Sequence, residues 1–199
     1  LIKNIIFDLG GVLIDWNPKN VFRTIFSTEE EADLFLSNIC TMEWNIEQDA
    51  GRSLADATRI LQAKHPEWHN EIAAYYNRWE EMLTGPIQGT VGILERLVHD
   101  PKYKVVALTN WSAETFPIAQ KKYEFLSWFE GIVVSGTEKC IKPDHKIYNI
   151  ILNRYNLKVE ECLFIDDNIH NIEAAQKLGI RTHHFSSPDN LQSFLDRTL

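Results

Sequence analysis

The stretch Phe7-Asp8-Leu9-Gly10-Gly11-Val12-Leu13 carries an apolar strand into an aspartate and then turns on two glycines. At the end of a parallel strand such a carboxylate stands on the sheet's carboxyl edge, and glycine lets the backbone approach a ligand or metal closely. Phe164-Ile165-Asp166-Asp167-Asn168 repeats the design, with adjacent carboxylates followed by a helix. Converging carboxylates repel one another unless a cation sits between them, and hard oxygen ligands of this kind suit Mg²⁺. Leu108-Thr109-Asn110-Trp111-Ser112 closes another strand with a hydroxyl, an amide and free N–H groups at a turn, which suits an oxyanion or a phosphate. Lys142, just before Pro143 at a helix start, adds a positive charge. Together with Asp8, Asp166 and Asp167 it leaves two net negative charges, which one divalent cation would neutralise. Each motif also has a plainer reading: Asp8 as a turn cap, Asp167 or Asn168 as the N-cap of the next helix.

The elements that must position these residues follow from periodicity. Short apolar, β-branched runs at Ile5–Leu9, Lys104–Thr109, Ile132–Ser135, Cys162–Ile165 and Arg181–Phe185 alternate with helical stretches. That alternation predicts an α/β fold: a Rossmann-like, doubly wound parallel sheet of about five strands. Helices are expected over Val91–Val98, Pro117–Phe125, Pro143–Tyr155, Ile169–Leu178 and Asp189–Arg197. One crossover needs far fewer residues than separate the first two strands. Pro18–Leu83 reads as helical, with breaks near Ser27-Thr28, Gly51-Arg52 and His65-Pro66 and no convincing strand. The predicted organisation is a catalytic core of residues 1–15 and 86–199 with a helical cap, 16–85, inserted after the first strand. The cap would lie over the carboxyl ends of the strands and hinge near Asp15 and Gly85.

Composition narrows the function classes. The chain of 199 residues is 44% hydrophobic and 24% charged, which excludes disorder and collagen-like repeats. Its formal charge of −8 and lack of a basic cluster argue against nucleic acid as a partner. No run approaches the about 18 apolar residues of a membrane span. Three cysteines without a C-x-x-C pair suggest neither a disulfide framework nor a zinc knuckle, so a reducing, cytoplasmic setting is expected. The expected partner is a small phosphorylated molecule, with no obligate protein partner evident.

In their order and spacing, Asp8 with Gly10, Thr109-Asn110, Lys142-Pro143, and Asp166-Asp167 with Asn171 resemble the four motifs of the haloacid dehalogenase-like hydrolases. The resemblance spans essentially the whole chain and includes a helical cap after the first motif. The runs around Asp8, Thr109 and Asp166 look closest to bacterial sugar-phosphate phosphatases of the glucose-1-phosphate phosphatase type. The resemblance implies a Mg²⁺-dependent phosphomonoester hydrolase in which Asp8 attacks phosphorus and becomes an aspartyl-phosphate. It implies Asp8, the Gly10 carbonyl, Asp166 and Asp167 around the metal, and Thr109 and Asn110 on the phosphate oxygens. Lys142 would offset developing charge, and Asn171 would support the site from behind.

One departure stands out. Most phosphatases of this superfamily carry a second Asp two residues after the nucleophile as general acid/base, and here that residue is Gly10. Either the leaving group needs little protonation, or Asp15 or a cap carboxylate such as Glu47 or Asp49 supplies the proton. Otherwise the protein is a 2-haloacid dehalogenase-type hydrolase or a phospho-ligand-binding regulatory protein of low turnover. In the cap, Trp44, Glu47, Asp49 and Gly51 form a polar and aromatic cluster suited to stacking a sugar and bonding its hydroxyls, or else a core Trp beside solvated acids. Trp111 is expected to face the pocket or the hinge.

Overall fold

The computed structural model describes residues 1–199. Five parallel strands make the central sheet: β1 (Asn4–Phe7), β4 (Lys104–Thr109), β5 (Gly131–Val134), β6 (Cys162–Asp166) and β7 (Arg181–His184), in the order β5-β4-β1-β6-β7. β1 lies centrally between β4 and β6, so the ends of these three strands meet at one edge.

The strands read as near-continuous apolar runs because both faces are covered. Ile5 and Phe7, Val105 and Ala107, and Leu163 and Ile165 pack into one hydrophobic cluster; Ile6, Val106, Leu108, Cys162 and Phe164 pack into a second on the other face. Alternate residues pointing to opposite sides of a strand produce this division. Helices α6 (Gln88–His99), α7 (Phe116–Lys122), α8 (Ser135–Glu138), α9 (His145–Arg154), α10 (Ile169–Lys177) and α11 (Pro188–Thr198) flank the sheet. All five predicted strands and all five predicted core helices are present, with ends shifted by a few residues. α10 starts on Asn168, whose side chain accepts the His170 N–H, so Asn168 is indeed the N-cap.

After β1 the chain makes a tight loop in which the Leu9 carbonyl accepts the N–H groups of Leu13 and Ile14. It then forms β2 (Ile14–Trp16), which pairs antiparallel with β3 (Leu83–Pro86), Asp15 opposite Gly85. This two-stranded ribbon is missing from the sequence reading: three and four residues are too few to show period-2 alternation. Between the ribbon strands lie α1 (Lys19–Phe22), α2 (Glu29–Asn38), α3 (Met42–Asp49), α4 (Leu54–Lys64) and α5 (His69–Asn77). The three predicted helix breaks are there. A fourth falls at Cys40-Thr41, where the Thr41 hydroxyl caps α3 by accepting the Trp44 N–H at 3.1 Å.

Val21, Phe22, Phe35 and Tyr75 of the insertion belong to the same hydrophobic cluster as Ile5 and Phe7 of the sheet. Trp79, next to β3, packs edge-on against Trp111, next to β4, with ring centroids 5.7 Å apart. The insertion is thus seated on the core through buried aromatic surface. No helix is long and apolar enough to cross a membrane.

Candidate active site

At the carboxyl edge of the sheet, one carboxylate oxygen from each of Asp8, Asp166 and Asp167 lies within 4.8 Å of the others. Asp8 and Asp166 are buried, while Asp167 is exposed. Lys142 sits among them at 1% exposure. Its ammonium donates to Asp8 Oδ1 at 2.9 Å, Asp166 Oδ2 at 2.7 Å and the Leu108 carbonyl at 3.0 Å, which uses all three of its protons. Desolvation of a buried charge is compensated only when its hydrogen bonds are complete. Asp166 meets that condition as well: Asn171 Nδ2 lies 3.1 Å from both its oxygens, and the Asn168 N–H donates to Oδ1 at 2.8 Å. Asp166 and Asn171 therefore hold Lys142 in place, and Lys142 holds Asp8.

The electrostatics of this edge leave a shortage of positive charge. Burial, together with Asp166 and Asp167, pushes the Asp8 carboxyl up to about 8 despite the pull of Lys142. Burial and then Asp166 also raise Asp167. Burial alone would lower Lys142, but Asp166 and Asp8 outweigh it and keep the ammonium charged above its usual range. A divalent cation supplies what one lysine does not. The local backbone fits one. Gly11 has φ +74°, and a methyl group there would overlap the Asp167 carboxylate, so only glycine lets this side chain lie against the loop. The Gly10 carbonyl accepts no hydrogen bond, which leaves it available as an oxygen ligand.

Beside this cluster the Thr109 hydroxyl is buried and has no hydrogen-bond partner. A buried unpaired hydroxyl costs about 1–3 kcal/mol, so its persistence at a charged strand end points to an anionic ligand that would complete it. Asn110 reaches the lysine loop as well as the cavity. Its side chain donates to the Lys142 carbonyl at 3.0 Å and accepts the Lys142 N–H at 2.8 Å. The amide thus clamps the lysine loop through its oxygen and one of its two N–H groups, while Asn110 also lines the cavity.

The cavity over this edge has a volume of about 240 Å³. Asp8, Gly10, Lys142, Asp167, Asn168 and Asn171 line its floor; Trp16, Trp79, Trp111 and Tyr76 form walls. From α3 come Met42, Asn45, Ile46 and Asp49, the i, i+3, i+4, i+7 face of that helix. Three residues expected in the site lie elsewhere. Asp15 is exposed, because alternation along β2 turns it outward and brings Trp16 to the cavity. Glu47 is exposed on the outer side of α3. Trp44 points into the insertion's own core, where it packs against Tyr75 and Tyr76 at 5.2 Å. Trp111 lines the cavity, the first of its two expected places, and packs on Trp79. Met42, Asn45 and Ile46 are not among the residues expected in the site, nor are Trp16, Tyr76 and Trp79. The helical spacing of the first three was a usable signal.

Residues 5–185 match the profile of the haloacid dehalogenase-like hydrolases. The chain belongs to this family. Among curated proteins, it is 27% identical over 184 residues to a sesquiterpene phosphatase of Aspergillus oryzae, covering 92% of this chain and 90% of that one. It is 30% identical over 195 residues to a drimenol cyclase of Aspergillus calidoustus, where it covers 96% of itself but spans only 35% of the relative. The fold is shared with a haloacid dehalogenase family enzyme of Bacteroides thetaiotaomicron solved with magnesium and inorganic phosphate, at TM-score 0.69, 23% identity, and 94% and 96% coverage of the two chains.

Proposed function

We propose that this protein is a Mg²⁺-dependent phosphomonoesterase that passes the phosphoryl group through an aspartyl-phosphate on Asp8. The observation that carries the reading is the meeting, on one sheet edge, of three carboxylates, a fully bonded buried lysine and the unpartnered Thr109 hydroxyl. Phosphoryl transfer depends chiefly on positioning and on electrostatic stabilisation, and this edge provides both. Asp8 attacks phosphorus with the oxygen that Lys142 orients. The Thr109 hydroxyl donates to a phosphate oxygen, while Lys142, at 2.9 Å from Asp8, steadies the charge that builds around the nucleophile. Asp8, Asp167, Asp166 and the Gly10 carbonyl are the oxygens that would hold Mg²⁺, and when bound it supplies the Lewis acid that offsets the phosphate charge.

The organic half of the cavity bears on the substrate. Trp16, Met42, Ile46, Tyr76, Trp79 and Trp111 offer a continuous apolar and aromatic surface, beside polar groups of Asn45, Ser112 and Thr115. This wall favours an apolar or aromatic monophosphate over the sugar phosphate that the sequence resemblance suggests. The likeness to a sesquiterpene phosphatase supports the same side. The experiment is phosphate release with and without Mg²⁺ from a panel containing a prenyl monophosphate, an aryl phosphate and glucose 1-phosphate, with Asp8→Asn as control. Release should require both Mg²⁺ and Asp8, and the prenyl and aryl esters should exceed the sugar ester in kcat/KM by about tenfold or more, the worth of a well-filled hydrophobic contact. Equal or better turnover of the sugar ester would return the substrate to the sugar class.

A further inference from the structure

We propose that Asp49, carried on α3 of the helical insertion, protonates the departing alcohol and then takes a proton from the water that releases phosphate. The assignment rests on the phosphomonoesterase reading above. An alkyl alkoxide is a poor leaving group without a proton, and a positioned acid typically contributes about 10²–10⁴-fold. The sheet edge offers no such acid. Gly10 has no side chain, Asp15 and Glu47 are turned away, and Lys142 has all its protons engaged with Asp8, Asp166 and Leu108.

Three carboxylates line the cavity: Asp8, Asp167 and Asp49. The first is the nucleophile and the second belongs to the acidic cluster against Gly11. Asp49 alone comes from the opposite wall, where the leaving group must lie if phosphorus faces Asp8. Its position is tied to the strand end that faces the phosphate. The Ser135 hydroxyl donates to the Asp49 carbonyl at 2.6 Å and accepts the Trp111 N–H at 2.9 Å, so one buried serine joins the end of α3 to the segment after Thr109. The Ser112 backbone N–H faces the Asp49 carboxyl and pulls against the effect of its burial.

The surroundings suit an acid that must also act as a base. Burial pushes the Asp49 carboxyl up to about 7, with Ser112 and Lys142 pulling it only part of the way back. The other titratable groups that face it are Tyr75 and Tyr76, and burial raises both phenols well above their ordinary range. Tyr76 moreover donates to Asn45 at 3.0 Å and accepts from Gln48 at 2.6 Å. Near neutrality Asp49 is thus the group on this wall that can change its protonation state. In the first step Asp8 bonds to phosphorus, the P–O bond to the alcohol breaks, and the Asp49 proton goes to the alcohol oxygen. In the second, water bonds to phosphorus, its proton returns to Asp49, and the bond to Asp8 breaks.

The test compares an alkyl monophosphate with p-nitrophenyl phosphate, in Mg²⁺, for the full chain, Asp49→Asn and Asp49→Glu. Because kcat/KM ends at departure of the alcohol, it isolates the protonation. Asp49→Asn should lose about 10²–10⁴-fold on the alkyl ester and under about fivefold on the aryl ester, whose phenolate leaves unaided. Asp49→Glu should recover at least about a tenth of the alkyl activity. With the aryl ester, Asp49→Asn should release one equivalent of nitrophenol in a burst, since the aspartyl-phosphate then waits for unassisted water. In the full chain itself, alkyl kcat/KM should fall above about pH 7 relative to aryl kcat/KM, because the donor must be protonated. Equal losses on both esters without a burst, or the same alkaline fall with both, would overturn the role of Asp49 and leave the phosphatase reading standing. No phosphate release from either ester by the full chain would overturn the phosphatase reading itself.

Discussion

The cavity's two walls are built in opposite ways. Along the sheet edge charge meets charge: Lys142 is hydrogen-bonded to Asp8 and Asp166, Asp167 brings a carboxylate oxygen within 4.8 Å of theirs, and the Thr109 hydroxyl is left unpaired. The wall from the insertion carries aromatic and aliphatic side chains on a helix face and a ribbon, with Asp49 as its carboxylate. The first wall is suited to a dianion and the second to whatever the dianion is attached to. Chemistry and specificity are thereby assigned to different parts of the chain, so a change in one wall should leave a recognisable signature different from a change in the other.

The sharpest break between the walls should come from Lys142→Ala. It leaves Asp8 and Asp166 buried without a countercharge, and removing one partner of a buried pair costs about 3–5 kcal/mol. Thermal melts should show a large loss of stability that added Mg²⁺ partly recovers, together with loss of turnover on every ester alike. A melt unchanged in metal-free buffer would mean that the edge is not held by this lysine.

A smaller effect is expected at Gly11→Ala, which forces the Asp167 carboxylate aside at a backbone angle that disfavours side chains. The Mg²⁺ concentration for half-maximal activity should rise about 10–100-fold, as for other changes around metal ligands. The preference among esters should stay as it was, because the insertion is untouched.

A change of similar size, but confined to one class of ester, belongs to the other wall. Trp79→Ala removes aromatic surface that packs on Trp111 and lines the cavity. It should cost about 1.5–3 kcal/mol of apolar contact for a prenyl ester, read as a rise in KM, and much less for glucose 1-phosphate. Equal losses for both esters would deny the division of labour between the walls.

The sheet edge was legible in the sequence because its information is local. A strand that ends on Asp8 before two glycines, and another that ends on Asp166-Asp167, places carboxylates at the edge of any parallel sheet they join. The ribbon was not legible, and with it went the direction of Asp15: in strands this short, pairing with Leu83–Pro86 decides which side chain turns outward. Asn110 shows a subtler limit. Its residue type announces hydrogen bonding, but the partner is a loop 32 residues away.

By itself the sequence determined the strands and helices of the central sheet, their alternation, the helical character of the long insertion and the identity of the charged edge, since strand period, glycine turns and caps act over a few residues. Tertiary structure decided which face of α3 looks into the cavity. Gln48 is buried and bonded to Tyr76, while Trp44 packs on Tyr75 and Tyr76; that packing fixes the rotation of the helix, sends Glu47 to solvent and brings Met42, Asn45, Ile46 and Asp49 over Asp8. A helix carries its faces in its sequence, but contacts with residues far along the chain choose the one that meets the substrate.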